Sequence, residues 1–103
     1  MLSEILARQT EIREVAMRHR VRSLALFGSA AAGDFKAGES DLDFLVEFQE
    51  MPVREYADHY FGLMEDLERL FHAPVDLVEA KPLRNPYFRQ SVEQTKRVVY
   101  EAA

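Results

Sequence analysis

The stretch LALFGSAAAGDFKAGESDLDFLVEF, residues 24–48, decides the fold of this chain. Two apolar runs, residues 21–27 and 42–48, flank a segment that contains three glycines and several charged residues. Their length and their content of Val, Leu and Phe are typical of buried strands. The first run ends at Gly28, and residues 34–40 have the composition of a loop. The stretch therefore predicts two strands joined by a short helix and a polar loop.

Two carboxylates stand at the start of the second strand. Asp41 and Asp43 are two residues apart, and side chains alternate across a strand, so both point to the same face. Leu42, Phe44 and Val46 then point to the opposite face, toward the core. We expect the two aspartates to lie together on a face that the core does not use. Because they repel each other there, either solvent or a metal ion must compensate their charge.

The rest of the chain predicts helices and strands that alternate along the sequence. Proline, glycine and capping residues set the predicted boundaries. The elements are a helix over residues 3–20 with Ser3 as N-cap, a short helix at Ala30–Ala32, a helix with Pro52 in its first turn that ends at about Phe71, a strand at Val75–Val78, a helix capped by Asn85 that runs from Pro86 to about Lys96, and Val98–Tyr100 as a last strand or a frayed end. This order predicts an α/β fold, with a small sheet covered by helices on at least one face.

Length and charge limit the class of protein. A chain of 103 residues is long enough for one domain with a core, and without cysteine it forms neither disulfides nor a thiolate metal site. The net charge is −5, from 18 acidic and 13 basic residues. Modules that bind nucleic acid are usually basic, so we expect no direct nucleic-acid partner. No apolar stretch approaches the ~20 residues that cross a bilayer, so we expect no membrane association and a cytoplasmic location.

The turn after the first strand suits an anion. The main-chain N–H groups at Gly28 and Ser29 favour negative charge, and the absent side chain of glycine lets a phosphate approach closely. A divalent cation lets a phosphate and carboxylates share a site, and Mg²⁺ prefers such oxygen ligands. Asp76, in the strand Val75–Val78, supplies a third carboxylate if that strand lies beside residues 42–48.

These residues resemble a known signature. Gly28-Ser29, followed by Ser40-Asp41-Leu42-Asp43 and a later Asp76 on a strand, is similar to the pattern of the nucleotidyltransferase (polymerase beta-like) superfamily. The small size resembles its minimal branch, the MNT-domain antitoxins of HEPN/MNT toxin–antitoxin systems. The resemblance covers nearly the whole chain. It implies the nucleotidyltransferase fold, with a small mixed β-sheet flanked by helices, in a single minimal domain over residues 1–103.

The resemblance also implies an activity and its residues. Transfer of AMP from ATP to a hydroxyl, that of a tyrosine in a cognate HEPN toxin, would release pyrophosphate by a two-Mg²⁺ mechanism. The toxin and a nucleoside triphosphate would be the partners, and the protein could form a hetero-oligomer with the toxin. The implied catalytic and metal-binding residues are Asp41, Asp43 and Asp76, and the implied nucleotide-binding residues are Gly28, Ser29 and Ser40.

One departure from the family pattern keeps a second function open. Many relatives carry an arginine where this chain has Ala32, so the contact to the triphosphate would be weaker or would come from Arg22, Lys36 or a partner. A catalytically inert antitoxin, which neutralises an HEPN RNase toxin by binding alone, is therefore the alternative. Adenylyl transfer to a small antibiotic-like molecule is disfavoured, because such enzymes carry a second domain that shapes the acceptor pocket.

Other polar and aromatic residues predict packing. His19, His59 and His72 share no ligand spacing, so we expect them to serve packing or the surface and not a metal site. The aromatic stripe of the long helix is expected to lie mostly in the core; its members are Tyr56, Tyr60, Phe61 and Phe71.

Overall fold

A computed structural model of the protein describes residues 1–80 and 86–103. The described residues form five helices and four strands, which confirms the predicted α/β class. The helices are α1 Leu2–Leu6, α2 Gln9–Arg18, α3 Gly28–Ala32, α4 Val53–Phe71 and α5 Pro86–Thr95, and the strands are β1 Val21–Phe27, β2 Leu42–Phe48, β3 Val75–Glu79 and β4 Arg97–Glu101. None of the helices in this part of the chain has both the length and the apolar character needed to span a membrane.

The four strands form one mixed sheet in the order β3-β2-β1-β4. β1 pairs antiparallel with both β2 and β4, whereas β2 and β3 are parallel. The parallel pair is possible because α4 carries the chain back across the sheet between the two strands. The chain end that the sequence left open as a strand or a frayed end is a strand, since Leu26 of β1 pairs with Arg97 of β4.

Helices cover both faces of the sheet, but unequally. α2 and α4 pack on one face and enclose the main core, where Ile12, Phe44 and Leu67 are fully buried. On the other face, Val92 of α5 packs in a smaller cluster with Ala25, Phe27 and Leu45. The aspartates share this second face, because Phe27 pairs with Asp43 and Ala25 pairs with Leu45. The expectation that the core leaves the aspartate face unused is therefore wrong in part.

The start of the chain differs from the prediction. The single helix over residues 3–20 is wrong, because α1 ends at Leu6 and α2 begins at Gln9. The first helix is capped at Met1 and not at Ser3, and neither helix has a side-chain cap. The Arg8 N–H donates to the Ile5 carbonyl at 3.1 Å, so the chain tightens into a turn there.

The boundaries of two later helices differ less. Pro52 is the N-cap of α4 and not part of its first turn, because its ψ of 142° is extended and the helix starts at Val53. α5 begins at Pro86 as predicted, and the predicted cap Asn85 lies outside the described residues. The core assignment of the aromatic stripe holds for Phe71, which is buried, but not for Phe61, whose side chain is 57% exposed.

Candidate active site

The pairing of β2 with β3 brings two of the predicted acids side by side. Asp43 and Asp76 are direct partners in the parallel register, so their side chains project from the same face of the sheet. Asp41 lies two residues before Asp43 and adds a third carboxylate at the same end. Asp41 and Asp76 are exposed, and Asp43 is half-buried.

The three acids interact electrostatically. Burial raises the pKa of Asp43 above its ordinary value of 3.8, and the negative charges of Asp76 and Asp41 raise this pKa further, in that order. In residues 1–80 and 86–103, no basic side chain forms an ion pair with any of the three. Within this part of the chain, the cluster therefore carries negative charge without a compensating cation.

Gly28 connects β1 to this cluster, and two features of the backbone require glycine there. Its φ of +70° lies in the left-handed region, which residues with a Cβ rarely adopt. A Cβ at this position would overlap the Oδ2 atom of Asp43. The absence of a side chain thus places the backbone of the β1–α3 turn directly against the most enclosed carboxylate.

The two serines predicted to bind nucleotide lie on either side of the loop that ends at Asp41. The carbonyl of Ser29 accepts a hydrogen bond from the Asp34 N–H at 2.7 Å, just after α3. The Ser40 hydroxyl accepts the Lys36 N–H at 3.1 Å, and the Ser40 N–H donates to the Lys36 carbonyl at 2.8 Å. These bonds close the loop immediately before Asp41, and a nucleotide contact of either serine stays a prediction.

Arg22 does not supply the positive charge that Ala32 lacks. Arg22 lies six positions before Gly28 on β1, which corresponds to about 20 Å along an extended strand. Its guanidinium Nη1 is 3.8 Å from Glu47 Oε1, at the opposite end of β2 from Asp43. Lys36, in the exposed part of the loop before Ser40, remains a candidate.

The donor set of this cluster fits a divalent cation. Asp41, Asp43 and Asp76 offer only carboxylate oxygens, the ligands that Mg²⁺ prefers. The pKa of Asp43 is raised by burial and then by repulsion from Asp76 and Asp41, and a cation would relieve that repulsion. Within the described ranges, no three His, Asp or Glu side chains already converge as ligands of one ion. In the described residues the three acids are thus neighbours without forming a closed set of ligands.

Sequence reasoning missed a second carboxylate centre, which lies between α2 and α4. His19 Nε2 lies 2.7 Å from Asp66 Oδ2, and Arg18 Nη1 donates to the same oxygen at 3.0 Å. Arg69 Nη1 donates to Asp66 Oδ1 at 3.4 Å, and the ring of His59 contacts that of His19 edge-on. His19 therefore serves packing, as expected. The 47 positions between His19 and Asp66 explain why no local spacing indicated this contact.

Comparison with known proteins identifies the family of the chain. Residues 10–99 match the family described as "Nucleotidyltransferase domain". A relative from Methanocaldococcus jannaschii, which bears the name of a protein adenylyltransferase, is 38% identical over 93 residues, covering 82% of this chain and 91% of the relative.

Two solved structures share the fold. A toxin–antitoxin complex with AMP-PNP has a TM-score of 0.68 at 18% identity, covering 92% of this chain and 74% of that chain. A tri-AMPylated HEPN toxin from Shewanella oneidensis in complex with its MNT antitoxin has a TM-score of 0.62 at 16% identity, covering 99% and 74%. With the family match over most of its length, the chain belongs to the nucleotidyltransferase domain family.

Proposed function

We propose that this nucleotidyltransferase transfers AMP from ATP to a hydroxyl group of an HEPN-domain toxin, with a tyrosine as the acceptor, and thereby acts as its antitoxin. The register that pairs Asp43 with Asp76, with Gly28 against Asp43, carries the proposal. The name of the M. jannaschii relative supports adenylyl transfer to protein. The S. oneidensis complex supports a toxin as the partner, since that toxin is AMPylated and bound to its MNT antitoxin.

Each residue of the candidate site has a separate role in the proposed reaction. Asp41, Asp43 and Asp76 would hold two Mg²⁺ ions, which supply charge neutralisation of the triphosphate and a more acidic acceptor hydroxyl. The backbone at Gly28, next to Asp43, would hold the phosphates together with Ser29 and Ser40. Asp76, which is exposed next to Asp43, would take the proton of the acceptor hydroxyl. The hydroxyl attacks the α-phosphorus, and pyrophosphate leaves.

The open position of the acids suits a macromolecular acceptor. Asp41 and Asp76 are exposed, so a tyrosine on the surface of another protein can reach them without entering a deep pocket. We assign residues 1–103 to one minimal catalytic domain, to which the toxin delivers the acceptor.

The test is adenylyl transfer with purified protein, ATP, Mg²⁺ and the toxin encoded beside it, followed by intact mass of the toxin. We expect AMP additions with the wild-type protein and none with the double variant Asp41→Asn/Asp43→Asn. Glu47→Gln is the matched control, because Glu47 is on the same strand and face as Asp43 but lies at the far end beside Arg22. Equal transfer by the double variant and the control would refute the proposal.

The inert antitoxin remains a second candidate because of α3. Its segment Ala30-Ala31-Ala32 offers no positive charge to a triphosphate. If this function is correct, the wild-type protein neutralises the toxin without any mass change, and the double variant neutralises it equally well. A melting curve gives an independent readout: a rise in Tm that requires both ATP and Mg²⁺, and that Asp43→Ala removes, supports the enzyme.

A further inference from the structure

β3 is an edge strand, and its hydrogen-bonding groups divide into two sets. The Leu42 N–H donates to the Pro74 carbonyl at 2.8 Å, and the Ala80 N–H donates to the Val46 carbonyl at 2.9 Å. Even-numbered residues of this segment therefore direct their backbone groups toward β2. The Val75 N–H and the Leu77 carbonyl consequently point away from β2, to the edge where no strand of residues 1–80 or 86–103 pairs.

Two side chains of α4 occupy that edge. The Glu68 carboxylate accepts the Val75 N–H at 3.0 Å, and the Tyr60 hydroxyl donates to the Leu77 carbonyl. The two backbone groups belong to the residues immediately before and after Asp76. Together with the pairing to β2, these bonds hold the backbone around Asp76 from both sides.

We propose that Tyr60 and Glu68 are positioning residues, which fix Asp76 beside Asp43 in the geometry needed to bind the catalytic cation. This inference rests on the proposed function, because it assigns them a role through the third carboxylate. Neither side chain reaches the reacting atoms, since both contact β3 backbone at its outer edge.

A physical reason for such support lies in the charges. Asp43 and Asp76 are paired directly and repel each other. β3 has five residues, and among the described strands only β2 pairs with it. Repulsion therefore acts on a weakly held edge strand.

The same two bonds could serve only to cover an exposed strand edge, a common device in β-sheets. The two roles predict different measurements. Edge protection alone predicts a lower Tm with unchanged cation affinity and unchanged kcat in the folded protein. Positioning predicts that cation affinity and kcat fall in protein that is still folded, while the KM for ATP changes little.

Tyr60→Phe is the decisive variant, and α4 offers a matched control one turn earlier. The hydroxyl of Tyr56 is buried and has no hydrogen-bond partner among the described residues, and its ring stacks on that of Tyr60 at 6.1 Å. Tyr56→Phe thus removes the same atom from the same helix without removing a hydrogen bond. For Glu68, alanine removes the acceptor of the Val75 N–H, whereas glutamine retains a carbonyl oxygen that can accept it.

The readouts are Mn²⁺ affinity by electron paramagnetic resonance, amide hydrogen exchange at Val75, and transfer kinetics. We expect Tyr60→Phe and Glu68→Ala to weaken Mn²⁺ binding and lower kcat by about 10-fold, the lower end of the effect of losing support for a metal ligand. Tyr56→Phe is expected to stay within about twofold of wild type, and Glu68→Gln to recover most of the loss caused by Glu68→Ala.

Each remaining outcome decides the matter. A lower Tm with unchanged Mn²⁺ affinity in Tyr60→Phe and Glu68→Ala overturns the positioning role and leaves edge protection. If the wild-type protein binds Mn²⁺ but transfers no AMP, the proposed function fails, and the affinities of the variants still test the positioning role. If the wild-type protein binds no Mn²⁺, both proposals are wrong.

Discussion

Asp43 and Asp66 are both half-buried carboxylates, yet their surroundings are opposite. Asp43 lies between two other acids, and its pKa is raised by burial, by Asp76 and by Asp41. For Asp66, burial alone would raise the pKa, but hydrogen bonds from His19 and Arg18, together with the charges of the same two residues, lower it.

The difference separates a carboxylate that stabilises the fold from one whose repulsion by neighbouring acids is not compensated among the described residues. Asp66 joins α2 to α4 through satisfied charge-assisted bonds, so its ionised form favours the folded state. Asp43 is ionised at a cost in the folded chain. A site that opposes stability without a ligand is characteristic of functional positions.

The largest expected effect is an opposite response of activity and stability in two variants, Asp43→Asn and Asp66→Asn. Asp43→Asn should lower adenylyl transfer by at least about 100-fold, because it removes one of the charged groups proposed to bind the cation. The same change should raise the Tm by about 2 °C, since it removes repulsion worth a few tenths of a kcal/mol. Asp66→Asn should do the reverse, with a lower Tm and transfer close to wild type. Transfer rates and melting curves of both variants test this prediction. It would be contradicted if the Tm of the two variants changed in the same direction or if both lost transfer to the same extent.

The next effect concerns stability alone. Asp66→Ala should lower the free energy of unfolding by about 2 kcal/mol, because it leaves the Nε2 atom of the half-buried His19 ring without its carboxylate partner. Asp76→Ala should change it by less than about 0.5 kcal/mol, since Asp76 is exposed. Urea unfolding measures both, and equal losses would show that the two regions do not differ as described.

Gly62 offers a test of the packing around Asp66. In an exposed helix interior, alanine is more stable than glycine by about 1 kcal/mol, but a Cβ at Gly62 would lie 2.5 Å from His19 Cε1. Gly62→Ala should therefore destabilise the protein by about 1 kcal/mol. In a His19→Ala background the clash is gone, and the same change should stabilise instead. A change of the same sign in both backgrounds would rule out the contact as the cause.

The smallest effect is in the pH dependence of stability. In the folded state the pKa of Asp43 is above its ordinary value of 3.8, so the folded state binds more protons than the unfolded state. The free energy of unfolding therefore falls as pH rises from about 3.8 through the raised pKa. The folded pKa of Asp66 is below 3.8, so its contribution is lost as pH falls below that value. Each of the two carboxyl groups should change the free energy of unfolding by a few tenths of a kcal/mol in total, after solvent screening. The measurement is the free energy of unfolding between pH 3 and pH 7. The pH dependence caused by Asp43 should disappear in Asp43→Asn, and the one caused by Asp66 should disappear in Asp66→Asn.

The sequence predicted the parts of the fold that depend on local patterns. The bounds of β1 and β2 match residues 21–27 and 42–48, because each strand is a continuous apolar run between turn residues. The approach of Asp76 to Asp43 was predicted only on the condition that β3 lies beside β2, which the register satisfies. The roles of these acids in catalysis stay a prediction.

Other features depend on contacts between distant segments and left no local signal. The bonds of His19 to Asp66 and of Tyr60 to Leu77 each join different elements, and neither residue pair has a spacing that a periodicity reveals. The break near Arg8 was missed because Ile5 and Ile12, both buried, fit one continuous helical stripe as well as they fit two short helices.

The crossover through α4 has a consequence for the newly made chain. Asp41 and Asp43 precede the helix and Asp76 follows it, so a folding intermediate that has only the hairpin of β1 and β2 holds two acids of the three. We expect tight cation binding to arise only when β3 docks, after the 19-residue helix has formed. Nascent and misfolded copies of the enzyme would then lack adenylyl transfer activity, and the enzyme would become active only once folding is complete.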